Sequence, residues 1–177
     1  MNKVVLLTAL AVLLAGCAGN EMPLEAVALP EPIKARPGET LARVVPAKGV
    51  QVYECRAVKD RAGAFEWGFV APDAELFDRR GQKIGTHYAG PKWEAADGSI
   101  VSGAVKGRAE APQVGNIPWL LLGTTASGPQ GSFSKVTGIQ RVNTVGGLAP
   151  VNPCAQANLG SVARVPYTAD YYFLSRM

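Results

Sequence analysis

The sequence predicts a mainly β protein, an antiparallel β-sandwich or barrel built from short hairpin-linked strands with little helix. Short alternating or apolar segments are separated by turn signals about every 8 to 12 residues, a spacing typical of antiparallel sandwiches and barrels. Glycine and proline, 20 and 13 of the 177 residues, recur too often for long helices. Beyond residue 16 no sustained apolar stripe at the helical period is present.

The turn signals are glycine-terminated polar segments. Residues 60–63, 78–81 and 96–98 each end in a glycine, the residue that adopts a positive φ without steric cost. Further turn signals lie at residues 71–73 and 89–91, where proline follows a small residue. These turns predict hairpins.

The segments between the turns alternate as strands do. Strict alternation in FEWGFV places Phe65, Trp67 and Phe69 on one face. Alternation in VQVYECRA likewise places Gln51 and Tyr53 together on one face. Further strands are predicted at residues 99–107, 117–123 and 171–175.

The N-terminus has the pattern of a secretory signal peptide. Lys3 precedes an apolar run, Val4 to Ala15, which is shorter than the roughly 20 residues of a membrane-spanning helix. The segment LLAGC resembles a bacterial lipobox, which predicts a signal peptide at residues 1–16 and lipidation of Cys17, with palmitate among the acyl chains. The alternative is an ordinary cleaved signal followed by an incidental cysteine.

The residue after the cysteine bears on localisation. Ala18 stands where the sorting rules of enterobacterial lipoproteins place Asp in inner-membrane proteins. By this resemblance we expect an outer-membrane lipoprotein of the cell envelope, anchored in the membrane by several acyl chains. Its domain would lie in the periplasm or at the cell surface.

A tether is predicted between the lipidated cysteine and the folded domain. Residues 18–48 contain five prolines and no aromatic residue. Such a stretch buries little apolar surface and is typical of a semi-extended linker. We therefore expect a tether at residues 17–48 and a β domain at residues 49–177, with folding beginning near Gly38 to Gly49.

The charge pattern argues against a nucleic-acid partner. The net charge is +4 at pH 7, with scattered basic residues and a single adjacent basic pair, Arg79-Arg80, which predicts solubility rather than a nucleic-acid partner.

Beyond Cys17 the chain has two cysteines, Cys55 and Cys154. In an exported protein two cysteines most often form a disulfide. The alternatives are a reactive thiol or a metal ligand, but neither cysteine has a histidine or a second cysteine nearby in sequence.

Five segments stand out along the domain, in this order: GVQVYECR (49–56), HYAGPKWEAADGSIVSG (87–103), IPWLLL (117–122), IQRVNTVGGLAP (139–150) and VPYTADYYF (165–173). Together they resemble a domain family of unknown function from exported bacterial and fungal proteins. The resemblance covers essentially the whole domain and implies no catalytic residues. Some fungal relatives are labelled malate dehydrogenase, but the chain lacks the G-x-G-x-x-G turn and βαβ unit of a dinucleotide-binding enzyme, so no cofactor is expected.

One enzymatic hypothesis centres on the sole histidine. His87 could act as a general base with Glu94 or Asp97 as the orienting carboxylate, as in a hydrolase. A nucleophile such as Ser99 or Ser102 would also be needed, and the chain has no G-x-S-x-G motif. A single histidine among scattered carboxylates does not predict a metal site.

The structural alternative explains the same segment by turns and core packing. Gly90-Pro91 and Asp97-Gly98 suit two chain reversals, and Trp93 suits the core. A buried, hydrogen-bonded His87 against Trp93 would favour this alternative, whereas His87 and a carboxylate converging in an open pocket would favour the enzyme.

The third hypothesis, which we prefer, is a binding or interaction module of the periplasmic space, with a small ligand or an unidentified protein as its partner. Aromatic side chains with a few convergent polar groups suit a small polar or carbohydrate ligand. An ion pair between Arg141 and Asp170 that only steadies the sheet is the competing interpretation. The candidate ligand-binding residues are Tyr88, Trp93, Arg141, Asn143, Tyr167 and Asp170.

Overall fold

The computed structural model describes residues 28–176, which form a closed barrel of eight antiparallel strands. Each strand pairs with the next in the chain, and the last pairs with the first. The predicted mainly β, hairpin-linked architecture is thus confirmed, in its barrel form. Among residues 28–176 no helix is long and apolar enough to cross a membrane. The strands are β1 (Glu39–Ala57), β2 (Phe65–Phe77), β3 (Lys83–Tyr88), β4 (Lys92–Ala95), β5 (Ile100–Ala109), β6 (Trp119–Ser127), β7 (Gly138–Gly146) and β8 (Val162–Arg176), with short 3₁₀ helices at Glu31–Ile33 and Gln156–Asn158.

Two glycine turns show how the hairpins are made. Gly81 between β2 and β3 has a φ of 77°, and Gly98 between β4 and β5 has a φ of 82°. Both angles lie in the left-handed region that favours glycine. The backbone N–H of Gly98 donates to the Ala95 carbonyl over 2.9 Å, which closes the second turn.

The barrel interior is the main core. Alternate residues of each strand point inward, so that aromatic side chains from distant strands meet. Phe133, in the β6–β7 connection, packs edge to face on Phe173 of β8 with ring centroids 4.8 Å apart. The buried residues of this core are Val45, Ala47, Leu76, Trp93, Ala95, Val101, Leu122, Phe133, Val136, Ile139, Tyr171 and Phe173.

A second core lies outside the barrel wall, beneath the N-terminal segment. Ile33 is 0% exposed and packs on the outward faces of β6, β7 and β8. The side-chain amide of Gln140 donates to the Ile33 carbonyl over 2.7 Å, which fixes the segment to the wall. The other buried members of this core are Trp119, Leu121, Val142, Tyr172 and Leu174.

This packing corrects the predicted tether. The expectation of a linker over residues 17–48 is wrong for its second half, because Ile33 is core and β1 begins at Glu39. The segment has no aromatic residue of its own, but it packs on Trp119 and Tyr172, which lie far along the chain. Residues 17–27 of the predicted tether, and the predicted signal peptide, lie outside the described residues.

A partly buried ion pair between Arg36 and Glu39 anchors the start of β1. The Arg36 Nη2 donates to Glu39 Oε1 over 2.6 Å and to the Thr137 carbonyl over 2.6 Å. The Thr137 hydroxyl also donates to Glu39 Oε1 over 2.8 Å. Burial by itself would raise the pKa of Glu39, but the hydrogen bonds from Arg36 and Thr137 lower it below its ordinary value. Glu39 therefore stays ionised, and its anchor joins β1 to the connection before β7.

The predicted disulfide is confirmed. Cys55 of β1 is bonded to Cys154 in the β7–β8 connection, 99 residues further along the chain. Such a bond restricts the unfolded chain and is worth about 2–4 kcal/mol in typical proteins. It holds the long β7–β8 connection against the barrel.

The N-terminal segment is expected to stabilise the barrel. The substitution Ile33→Ala removes a fully buried side chain from the outer core and should lower the free energy of unfolding by about 2–5 kcal/mol. Urea denaturation followed by tryptophan fluorescence measures the change. Val114→Ala, at a fully exposed position, is the matched control and should change little. Equal stability of the two variants would contradict the assignment of this segment to the folded domain.

Candidate functional site

The barrel interior contains a cavity of about 370 Å³ beside the aromatic core. Its lining is mainly apolar and comes from all eight strands and the β3–β4 turn. Eight-stranded barrels have an interior just large enough to be filled by side chains or to hold one small ligand. Here part of the interior is left unfilled.

The opening of the cavity follows from the shortness of the β3–β4 hairpin. β3 pairs with β2 only from Ala74 onward, and β4 pairs with β5 only up to Ser102. Beyond these positions, only the hairpin tip at residues 89–91 lies between β2 and β5 in the described sheet. The wall is therefore open where the hairpin ends.

A bulge in the β1–β2 ladder shapes the rim of this opening. Ala71 pairs with Val52 and Phe69 with Tyr53, so Val70 is the extra residue. Phe69 packs edge to face on Tyr53 with ring centroids 5.7 Å apart. Phe69 and Val70 are both about half exposed and line the cavity. The rim is therefore apolar.

His87 lies inside the barrel, stacked on Trp93. The two rings are nearly parallel with centroids 4.2 Å apart, and the imidazole also meets the edge of Tyr171 at 5.0 Å. The imidazole Nδ1 lies 2.8 Å from the Lys92 carbonyl. Because a carbonyl oxygen only accepts, Nδ1 carries the proton and Nε2 has a free lone pair.

The environment keeps His87 neutral. Burial lowers the pKa of His87 to about 3; the hydrogen bond to Lys92 opposes this shift and the nearby Arg141 charge adds to it. His87 is 3% exposed. An imidazole with such a low pKa is a weak base at neutral pH, which disfavours general-base catalysis.

The candidate carboxylates do not meet His87. Glu94 lies on the opposite face of β4 from Trp93, where it accepts a hydrogen bond from the Tyr88 hydroxyl over 2.7 Å. Asp97, in the β4–β5 turn, accepts from the hydroxyls of Ser99 and Ser132, each over 2.6 Å.

Hydrogen bonds also hold Asp97 and Ser99 in structural roles. The hydrogen bonds from Ser132 and Ser99 hold the pKa of Asp97 well below its usual range. The Ser99 hydroxyl accepts from the Phe133 backbone N–H over 3.0 Å, so it is fully engaged in joining two connections. The geometry is that of the structural alternative, with Asp97-Gly98 as a turn and Trp93 in the core.

Among residues 28–176, Arg141 of β7 is the one charged side chain that lines the cavity. Its backbone pairs with Leu120 and with Tyr171, and like Tyr171 its side chain points inward. The guanidinium Nε and Nη2 both donate to the Pro118 carbonyl, over 3.2 and 2.8 Å. This two-point bond fixes the position of the charge.

The ion pair between Arg141 and Asp170 is not formed. Asp170 instead accepts from the side-chain amide of Asn143 over 2.8 Å, outside the cavity. Asp170 is next to the inward Tyr171 on β8 and therefore faces outward, away from Arg141. Asn143 has a φ of 50° and lies in a bulge between Val142 and Val145. Asn143 and Asp170 line a shallower surface depression with Lys48 and Arg79.

The charge of Arg141 has no counterion within the described chain. The ion pairs formed by residues 28–176 do not include Arg141, and no acidic side chain lines the cavity. Burial lowers the pKa of the guanidinium, and the phenols of Tyr171 and Tyr167 partly oppose this shift. Arginine nevertheless remains charged in proteins. The cavity is therefore positive.

The neighbouring tyrosines do not neutralise this charge. The hydroxyls of Tyr167 and Tyr171 lie 3.3 Å apart and share a hydrogen bond. Burial raises the pKa of both phenols, so both stay protonated at neutral pH. Both phenols are therefore neutral hydrogen-bonding groups and do not act as counterions for Arg141.

Two further polar groups at the cavity lack partners. The Gln51 Nε2 and the Trp93 Nε1 are buried and make no hydrogen bond within the described residues. Gln51 is 2% exposed and lines the cavity. A buried donor without a partner is costly and marks a place where a ligand or water would bind.

Part of this site was predicted from the sequence. Of the candidate ligand-binding residues, Trp93 and Arg141 line the cavity and Tyr167 supports it through Tyr171. The other candidates, Tyr88, Asn143 and Asp170, do not line it. Gln51 was missed as a site residue, although alternation had placed this amide on the same face as Tyr53. No group of three or more His, Cys, Asp or Glu residues able to hold a metal ion occurs in residues 28–176.

His87 is expected to remain neutral in the folded protein down to acidic pH. Because the chain has one histidine, an untagged protein gives a single imidazole signal in NMR. That signal should stay constant from about pH 8 to pH 5 in the folded state and titrate near 6.5 in urea, the ordinary histidine value. Since only the unfolded chain gains this proton, stability should fall as pH drops below about 6.5 and towards 3. A midpoint near 6.5 in the folded protein would contradict the burial of His87.

Comparison with known proteins gives a family and no activity. No curated protein matches the chain. The family model described as "Protein of unknown function (DUF3455)" matches residues 36–175, which includes nearly the whole barrel from Arg36 to Ser175. This match confirms the resemblance to a domain family of unknown function. The chain therefore belongs to the DUF3455 family.

Proposed function

We propose that this protein is a binding module that holds one small, largely apolar ligand inside its barrel, and that lipidated Cys17 anchors it in the bacterial outer membrane. The observation that carries the binding proposal is the open interior cavity, with an apolar lining and a few fixed polar groups. Ligand sites in proteins have this character and measure roughly 300–1,000 Å³. The cavity, at about 370 Å³, lies at the lower end of that range.

The lining favours an apolar ligand body over a sugar. Leu120, Leu122, Val105 and Pro72 line the cavity along with the aromatic side chains. A sugar would bury many hydroxyl groups against these apolar surfaces, and each unpaired hydroxyl is costly. The carbohydrate expected from the aromatic and polar residues of the sequence is therefore a less suitable ligand than an apolar molecule with one polar end.

The same geometry favours binding over catalysis. His87 is a weak base, its Nδ1 bonds to a backbone carbonyl, and Glu94 and Asp97 are engaged elsewhere. A hydrolase would need a base near neutral pKa within reach of a nucleophile. We therefore set the hydrolase alternative aside.

The envelope location is supported by the N-terminal sequence. The apolar run before LLAGC and the small residues next to Cys17 suit lipoprotein processing, and Ala18 suits outer-membrane sorting. A disulfide between Cys55 and Cys154 fits an oxidising compartment. The membrane is thus the proposed partner of the acyl chains, and the barrel is held near it.

Narrowing the cavity mouth should weaken ligand binding. The neutral dye N-phenyl-1-naphthylamine is an apolar probe whose fluorescence rises in apolar sites. We expect it to bind the chain from Ala18 onward, which contains the whole described barrel, at a ratio of one to one. Val105→Trp, at the rim, should weaken this binding by about tenfold or more, because it fills the opening.

Val145→Trp is the matched control for this experiment. Val145 is 60% exposed and Val105 56% exposed, both are strand valines, and only Val105 lines the cavity. Binding should be unchanged in Val145→Trp. Equal binding by both variants would place the dye outside the cavity, and no binding to the unsubstituted chain would reject the proposed function.

Lipidation should depend on Cys17 and sorting on Ala18. In a bacterial host fed radiolabelled palmitate, the full chain should incorporate label into the outer-membrane fraction, and Cys17→Ala should abolish incorporation. Ala18→Asp should keep the label but move the protein to the inner-membrane fraction. Label that persists in Cys17→Ala would contradict the proposed anchor.

A further inference from the structure

We infer that the ligand is an amphiphile with a single carboxylate head, bound by the Arg141 guanidinium, and an apolar body that extends towards the rim. This inference rests on the proposed function and adds the chemical class of the ligand. Three features of the cavity support it: an unpaired fixed cation, a set of neutral hydrogen-bonding groups around it, and an apolar path to the opening.

The first feature is the fixed charge. The Pro118 carbonyl accepts from Nε and Nη2 of Arg141. The guanidinium also interacts with the Tyr171 phenol, and this interaction partly opposes the burial that raises the pKa of that phenol. The remaining N–H groups of Arg141 keep the fork geometry that matches a carboxylate. Because the carbonyl already holds the side chain in place, little side-chain entropy remains to be lost on binding.

The second feature is the absence of competition for that charge. In the described part of the chain the cavity lining contains no Asp or Glu. An unpaired charge in a partly buried site is unfavourable, and a bound anion relieves this cost. Nearby side chains repel an anion little, because Tyr167 and Tyr171 are protonated and His87 is neutral.

The third feature is the supporting amide. The Gln51 side chain is buried, and its Nε2 has no partner in residues 28–176. This side chain lines the same cavity as Arg141. A carboxylate has two oxygens and about four acceptor positions, so it can accept from an amide as well as from a guanidinium. A neutral alcohol head would satisfy fewer of these donors.

The remaining lining is suited to the apolar body. Leu120 and Leu122 lie on the same inward face of β6, and Val105 of β5 pairs with Leu122. These side chains and Phe69 form a path from the buried charge to the exposed rim. A ligand with charge at one end and hydrocarbon at the other matches this distribution.

The test compares an acid with its neutral analogue. The chain from Ala18 onward, exported behind a cleavable signal peptide, is loaded with N-phenyl-1-naphthylamine and titrated with octanoate or with 1-octanol at pH 7.5. Octanoate should displace the dye with an affinity about tenfold or more above that of octanol, because charge-assisted hydrogen bonds are stronger than neutral ones. Equal affinities would overturn the inference while leaving the proposed binding function intact.

Substitutions of Arg141 test whether this side chain causes the preference for octanoate over octanol. Arg141→Met keeps most of the side-chain volume and should remove the preference for octanoate while leaving octanol affinity within about twofold. Arg141→Lys should keep part of the preference, because it retains the charge without the fork. Arg164→Met, at an exposed arginine of β8, is the control and should behave as the unsubstituted protein.

The outcomes separate the two proposals. If Arg141→Met does not fold, the octanoate and octanol comparison in the unsubstituted chain still decides the inference. An unchanged preference in a folded Arg141→Met variant would overturn the role of Arg141. If neither the dye nor octanoate nor octanol binds, both the inference and the proposed function are wrong.

Discussion

The structure depends on the pairing of the first strand with the last. β1 and β8 form a continuous ladder from Glu39–Arg176 to Glu54–Val162, with one irregularity near Leu41. This pairing closes the barrel and removes two exposed sheet edges. It also turns alternate residues of every strand into an interior, so that Arg141 and Tyr171 are withdrawn from bulk water. The disulfide and the Arg36–Glu39 pair both reinforce β1, which is the strand on which closure depends.

The cavity results from the unequal lengths of the strands that follow. β3 and β4 span six and four residues, whereas β1 and β8 span 19 and 15. Phe133, Phe173 and the other large side chains fill the part of the interior that the short hairpin covers. Beyond the tip of the hairpin the wall opens, and the cavity there is lined by Gln51, Arg141 and a mixture of aliphatic and aromatic side chains. The polar groups lie where the packing is incomplete, which is the arrangement expected of a binding site rather than of a core.

Local features could be predicted from the sequence, whereas features set by strand closure could not. Glycine turns and the alternation of Phe65, Trp67 and Phe69 are encoded within a few residues, and the structure pairs the three with alternate residues of β1, namely Ala57, Cys55 and Tyr53. A sandwich and a barrel were equally compatible with the pattern, because the β1–β8 ladder joins the two ends of the domain. The partner of Arg141 could not be predicted for a related reason: the register of β7 on β8 pairs Arg141 with Tyr171 and leaves Asp170 on the outward face, so the guanidinium donates to the Pro118 carbonyl instead. Similarly, Ile33 acquires its core role mainly from strands far along the chain, through residues such as Trp119, Val142 and Leu174.

The central claim is that the interior of the barrel holds a small ligand, and native mass spectrometry of the protein as isolated tests it most directly. The chain from Ala18 onward would be purified from a bacterial periplasm without detergent or organic solvent. We predict an added mass of a few hundred daltons that disappears on denaturation, with the released molecule detected as an anion. A bare protein mass in such a preparation, unchanged after incubation with a periplasmic extract, would contradict the account.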